Sequence, residues 1–237
     1  MRLGFISDAH GNLVGFQRGL RLLEQLSVDK IFFLGDAIGY FPGLRVIDCL
    51  RKRAIPSLMG NHEAMLLGME QKQQDRSLSQ SASHPAYLTQ KLHHQLSDEQ
   101  RDFMASLRPL KRLNYAQNEL LLVHASPSDP LHGYLYPNSE LGDLGLDSST
   151  NVVVMGHSHI PFVRWKNNVL YINAGSCGMP RGSETQACVA LFDCETQTPE
   201  LHRYEIKDTF STLCWDQDGN SLVDKLVLDY VNRLRQM

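Results

Sequence analysis

Leu3-Gly-Phe-Ile-Ser-Asp-Ala-His-Gly-Asn12 sets an apolar run directly against a polar turn carrying a carboxylate, an imidazole and an amide. Four or five apolar-leaning residues closed by a polar turn read as a short buried strand. Leu13, Phe16, Leu20 and Leu23 then recur at helical spacing. The unit repeats. Ile31 to Leu34 predicts a second buried strand and ends at Gly35-Asp36; Val46, Ile47 and Leu50 mark a helix; Ile55 to Met59 predicts a third strand and ends at Gly60-Asn61. A β-α-β-α-β rhythm implies an α/β fold with parallel strands and right-handed crossovers.

The character changes near residue 70. Gln71 to Ser83 is polar and reads as a helix end or loop, followed by two helices over Pro85 to Leu96 and Ser97 to Leu107. The second opens on Ser97-Asp-Glu-Gln100, a capping-box pattern. Strands then dominate: Leu120 to Val123, Val152 to Met155, Pro161 to Trp165, Val169 to Ile172, Ala187 to Phe192 and Leu201 to Ile206, with Asn167-Asn168 as a hairpin turn. A final amphipathic helix is predicted to carry Leu222, Leu226, Leu228, Tyr230 and Leu234. No repeat or linker divides the chain, so one domain over residues 1–237 is expected, with a helical excursion at about 70–108 that either caps the site or forms a dimer surface in a homo-oligomer.

Composition narrows the class. Apolar residues make up 42% of 237, enough for a sizeable core. A formal net charge of −3 argues against a partner held by bulk phosphate charge, which makes nucleic acid an unpromising ligand. The five cysteines form no C-x-x-C pair, and Cys177 reads as a small buried filler. Leu3 to Ile6 is too short for a signal-peptide core, and no apolar stretch approaches the ~20 residues of a membrane span. A cytoplasmic location is expected.

Five motifs follow predicted strands: Asp8-Ala-His10-Gly-Asn12, Gly35-Asp36, Gly60-Asn61-His62-Glu63, His124 after Val123, and Gly156-His157-Ser-His159. In open α/β sheets, ligands gather beyond the carboxyl ends of strands, so these motifs converge although they span most of the chain. Alone, each has an ordinary reading. A Gly-Asp after a strand is usually a turn, and a His after Val is usually a satisfied semi-buried side chain. Their conjunction, using five of the ten histidines, carries the inference. Asp8, His10, Asp36, Asn61, His124, His157 and His159 offer seven donors, more than the three or four that one zinc takes. Two divalent transition-metal ions fit if a carboxylate bridges them. Oxygen and imidazole donors without thiolate suit Mn, Fe, Zn, Co or Ni better than Mg or Ca. His84, His93, His94, His132 and His202 lie outside the pattern.

In order, these motifs resemble the set of the calcineurin-like metallophosphoesterases, over residues 2 to about 180. His124-Ala-Ser-Pro127 with Asp129-Pro130, and Asn173-Ala-Gly-Ser176 followed by Pro180-Arg181, are similar to its small single-domain bacterial and archaeal branch. The resemblance implies a four-layer α/β/β/α sandwich. It assigns Asp8, His10 and His159 to one ion, Asn61, His124 and His157 to the other, and Asp36 to the bridge. His62 would lie beside the scissile phosphate, with Asn12 and Glu63 orienting ligands. A hydroxide shared by the ions would attack phosphorus in line, and His62, if protonated, would assist the departing alkoxide.

The implied substrate is a small phosphodiester, phosphomonoester or dinucleoside polyphosphate. Arg181 suits a second phosphate, and Tyr40 or Phe41 could border the pocket and stack a nucleobase. Tyr134, Tyr136 and His132 are candidates for the opposite rim. Two other readings compete. A catalytically silent scaffold, like the retromer subunit that resembles this family, predicts decayed ligands or a lost His62, and here all are present. A nuclease, as some larger relatives are, would call for a basic surface that the sequence lacks.

Overall fold

The computed structural model describes residues 1–74, 88–182 and 186–236. The opening stretch forms β1 (Arg2–Ile6) and α1 (Leu13–Gln25), then β2 (Lys30–Phe33) runs parallel to β1. Asn12 caps α1 by accepting from the Gly15 N–H. The helix buries Phe16, Leu20 and Leu23, each worth roughly 1.5–3 kcal/mol when removed from water. Further along come α2 (Arg45–Lys52), α3 (Asn61–Gln74), α4 (Thr89–His93) and α5 (Asp98–Ser106). The Ser97–Gln100 capping box is present.

The remaining strands are β3 (Leu110–Tyr115), β4 (Asn118–Val123), β5 (Val152–Met155), β6 (Phe162–Lys166), β7 (Val169–Asn173), β8 (Ala187–Asp193) and β9 (Thr198–Tyr204). They build two mixed sheets, β2-β1-β8-β9 and β3-β4-β5-β7-β6. Within them, β1–β2 and β4–β5–β7 are the parallel neighbours. The sheets pack face to face through Leu3, Phe5, Phe32, Leu120, Val152, Val154, Ile172 and Phe192. The first sheet's outer face is covered by α1 and α2 together with Leu66, Leu92 and Met104 of α3 to α5. The described part of the expected helical excursion therefore belongs to this layer. The second sheet is covered by Leu135 and Leu141 from chain without helix, the irregular fourth layer of an α/β sandwich. Near the C-terminus, α6 (Phe210–Cys214) and α7 (Lys225–Gln236) pack on Phe41 and Met179.

Several local expectations change. Ile55 to Met59 makes a single parallel bridge, Phe33 to Ser57, instead of a strand, because Pro56 has no N–H for a ladder. Of Pro85 to Leu96 only Thr89–His93 is helical among the described residues; 75–87, with most of the polar stretch and His84, lie outside them. The C-terminal helix buries Val227 and Val231, with Val223 buried just before it, whereas Leu226 is 57% exposed. The Asn167-Asn168 turn is left-handed at both residues, as a two-residue hairpin requires. No helix among the described residues is long and apolar enough to cross a membrane.

Candidate metal centre

The parallel strands of both sheets end on one side of the sandwich, and their turns are stitched together there. Asp8 N–H donates to Gly35 O (3.0 Å), His10 N–H to Asp36 O (3.0 Å), Gly156 N–H to His124 O (3.0 Å) and Cys177 N–H to Ser7 O (2.9 Å). Asp8, His10, Asp36, His157 and His159 all adopt left-handed backbone, with φ between 48° and 61°. Such residues cost on the order of 1–3 kcal/mol each, and Asp and His are among the side chains that tolerate the region best. The reversal at each position turns the functional group inward. Gly60 and Gly156 permit the close approach: a Cβ would stand 2.0 Å from Asp36 Oδ1 at the first and 2.4 Å from Asp8 Oδ2 at the second.

The result brings the expected donors together. The ligand atoms of Asp8, His10 and His159 lie within 4.8 Å of one another, as do those of Asp36, His124 and His157. Asp36 Oδ2 lies between the two groups, 3.7 Å from His10 Nε2 and 3.6 Å from His124 Nε2. Asn61 Oδ1 is 3.1 Å from His124 Nε2. His62 Nε2 is 3.9 Å from Asp36 Oδ2, so it too stands at the centre.

Protonation states follow from the partners. The Nδ1 atoms of His10, His124 and His159 face the carbonyls of Ile38 (3.0 Å), Leu34 (2.8 Å) and Met179 (2.6 Å). A carbonyl only accepts, so Nδ1 carries the hydrogen and Nε2 presents a lone pair to the centre. Burial, then neighbouring cationic groups, pushes the imidazoles of His10, His62, His157 and His159 toward neutrality; His62 and His157 fall to about 3. Neutral imidazole is the form that ligates metal. Burial, then the charges of Glu63 and Asp8, pushes Asp36 well above the usual carboxylate range.

These donors fit divalent metal. His10 Nε2 and His159 Nε2, both lone-pair atoms, stand 3.0 Å apart, and His159 Nε2 is 3.3 Å from Asp8 Oδ1. Acceptors facing acceptors repel in a dry interior, and a cation between them reverses the sign. Asp8 Oδ1 and His157 Nε2 are buried with no hydrogen-bond partner among the described residues, a cost of ~1–3 kcal/mol each that a metal would relieve.

Two expected orienting residues have definite partners. Glu63 accepts from the N–H groups of Asp36 (2.9 Å), Ala37 (2.8 Å), Ile38 (3.3 Å) and Gly60 (2.8 Å), tying two motifs together. Asn12 reaches Gly178 O (3.2 Å) and Thr209 Oγ1 (2.9 Å). Sequence reading missed Ser176 and Asn173 as braces. Ser176 Oγ donates to Asp8 O (2.7 Å), and Asn173 Nδ2 to Gly156 O (2.7 Å). The available signal was the Asn-Ala-Gly-Ser turn, which closes a strand as the ligand motifs do.

Around the mouth, the Tyr40 ring lies 4.7 Å from His10 and 5.1 Å from His62, and its hydroxyl accepts from Arg181 (2.8 Å). Phe41 packs inside against Phe210. The Tyr134 ring stands 4.2 Å from His157. His93 pairs with His94, His202 binds Glu200, and His132 is exposed, so none joins the centre. Cys177 is buried, and burial pushes its thiol well above the usual value, as suits a filler.

Comparison with known proteins agrees with this geometry. The family model of the calcineurin-like phosphoesterase superfamily domain matches residues 1–197. An uncharacterized protein of Methanocaldococcus jannaschii, MJ0912, is 27% identical, with 95% of this chain and 97% of that protein aligned. Phosphodiesterase YfcE of Escherichia coli is 23% identical over 77% of this chain and 82% of its own length. Among solved structures, a metallophosphoesterase from Sphaerobacter thermophilus superposes with a TM-score of 0.70, 25% identity, and 99% and 98% of the two chains covered. The chain belongs to the calcineurin-like phosphoesterase superfamily and is a hydrolase of phosphate-ester bonds.

Proposed function

We propose that this chain hydrolyses a small phosphodiester, phosphomonoester or dinucleoside polyphosphate with two divalent transition-metal ions. Asp8, His10 and His159 would hold one ion and Asn61, His124 and His157 the other, with Asp36 shared between them. The observation that carries this reading is the set of imidazole lone pairs crowded at 3.3–3.8 Å around Asp36 and Asp8, with His10 Nε2 and His159 Nε2 only 3.0 Å apart. When bound, the ions supply an activated water near neutral pH and positive charge opposite the phosphoryl oxygens.

The chain's own residues do the rest. His62 is held by its N–H bond to Asp36 Oδ1 (3.0 Å) and by the Tyr40 ring. Its depressed pKa of about 3 favours a neutral imidazole that donates a hydrogen bond to a phosphoryl oxygen over full proton transfer to the leaving group. Arg181, half-buried against Tyr40, is a fixed cation at the rim that suits a second phosphate. YfcE is named a phosphodiesterase, which favours the diester among the candidate substrates.

The test is a hydrolysis screen with Mn, Fe, Zn, Co or Ni, using bis-p-nitrophenyl phosphate, p-nitrophenyl phosphate, cyclic nucleotides and dinucleoside polyphosphates. Expected results are turnover of the diester, loss on chelation, and two ions per chain by elemental analysis. No turnover with any metal, or one ion at saturation, would count against it. Arg181→Ala adds a finer prediction. It should lower kcat/KM on a dinucleoside polyphosphate by ~10-fold or more, near the 1.5–3 kcal/mol of a charged hydrogen bond, while largely sparing the aryl diester. Equal losses on both would make Arg181 a structural residue of its turn.

A further inference from the structure

The mouth of the site carries a pair of aromatic rings that the chemistry above does not use. Leu135 is buried beneath the second sheet with Leu121, Val123 and Met155, while its neighbours Tyr134 and Tyr136 are 48% and 38% exposed. Alternation in extended chain puts both tyrosines on one side. Their rings are stacked, 9° from parallel with centroids 5.7 Å apart, and Tyr134 also faces His157 at 4.2 Å. The three rings make a ladder leading outward from a proposed metal ligand.

The ladder is fixed from below. Gly133 N–H donates to Asp129 O (3.1 Å), and Ser126 N–H, two residues after His124, donates to the same carbonyl (3.2 Å). Tyr136 N–H donates to Ser139 Oγ (2.9 Å), and Arg164 of β6 donates to Ser139 O (2.6 Å). Two large rings held in register and open to water are an exposed apolar feature of the kind that marks a ligand surface. Ordering them in advance removes entropy that binding would otherwise cost.

We propose that Tyr134 and Tyr136 form a stacking subsite for a nucleobase carried on the phosphate ester. The proposal rests on the phosphoesterase reading: the phosphate sits at the centre beside His157 and the base extends along the rings. A nucleobase matches because it offers a planar π-face of the size the rings present, and stacking of this kind tolerates any base. The acidic net charge leaves the phosphate to the metal centre and Arg181, so base stacking, not backbone tracking, supplies the remaining affinity.

The test compares binding of AMP and ribose 5-phosphate to the Mn-loaded full chain by calorimetry. The wild type should bind AMP about 5- to 100-fold more tightly, the span that one base–aromatic stack supplies. Tyr134→Leu and Tyr136→Leu, which keep apolar bulk but remove the ring face, should erase most of that advantage. Both side chains are exposed, so thermal midpoints near the wild-type value should confirm folding. Equal affinity of the wild type for the two ligands, or an advantage that survives in both variants, overturns the subsite. Hydrolysis of bis-p-nitrophenyl phosphate is scored separately. A protein that cleaves it without preferring AMP loses only the subsite, and one that prefers AMP without cleaving any ester keeps the subsite and loses the phosphoesterase mechanism.

Discussion

An Asp36→Asn protein is expected to lose both metal ions together, with affinity falling by at least ~100-fold and activity with it. That exceeds the ~10–100-fold that losing an outer partner of a metal ligand usually costs. Asp36 is the carboxylate in contact with both halves of the centre, through His10 at 3.7 Å and His124 at 3.6 Å. Its other oxygen accepts from His62 N–H (3.0 Å). In the variant the amide oxygen must keep that bond, which turns the NH₂ toward the metals, where it cannot ligate. The isolated fold should not suffer. Burial, with Glu63 and Asp8 close by, already pushes the Asp36 carboxyl well above its usual range, and a neutral amide removes that repulsion. Chelated Asp36→Asn should therefore melt no lower than chelated wild type, while the metal-loaded forms differ widely. Two bound ions and full turnover in this variant would refute the bridge.

The parts of this site that were legible in the sequence share one cause. Asp8, Asp36, His124 and His157 each follow an apolar run, and a parallel strand delivers its next residue to the carboxyl edge of the sheet. Position in the chain therefore encoded position in space. The left-handed backbone at five ligands reinforces this, since Asp and His are chemically suited to ligate and conformationally suited to the turn. Glu63 was also legible, because a carboxylate two residues beyond Asn61 opens a helix and meets free N–H groups.

What was not legible depends on backbone groups and on packing direction. The carbonyls of Leu34, Ile38 and Met179 fix three imidazole tautomers, and a carbonyl has no signature in a residue string. Ser176 braces Asp8 across 168 positions of chain, a separation no local pattern reports. On α7, Leu226 looked like part of the core face but is exposed, while Val227 and Val231 are buried and Leu228 and Tyr230 pack beside them. Leu226 and Val227 are both apolar, and only the neighbouring Phe41 and Phe210 decide which one faces in. Ile55 to Met59 had strand composition, but Pro56 removed the donor that a ladder needs.

The second large effect is expected at His62, and its neighbour Asn61 supplies the control. Both open α3, yet Asn61 Oδ1 lies 3.1 Å from His124 Nε2 while His62 faces Tyr40 and His10. His62→Ala should keep two metal ions and lower kcat by ~10²–10³-fold, the usual loss for one donor aimed at developing charge. Burial, then His159 and His124, holds the imidazole pKa at about 3, so it is neutral throughout the range from about pH 6 to 8. The loss should therefore vary little with pH in that range. It should be similar for an alkyl leaving group and for p-nitrophenolate, because the donated hydrogen bond acts on the phosphoryl oxygen. Asn61→Ala should instead empty one metal position and slow both esters. A much larger loss on the alkyl ester would restore proton transfer to the leaving group as the role of His62. Loss of metal from His62→Ala would move that residue into the ligand set, a position that its 3.9 Å separation from Asp36 Oδ2 makes geometrically accessible.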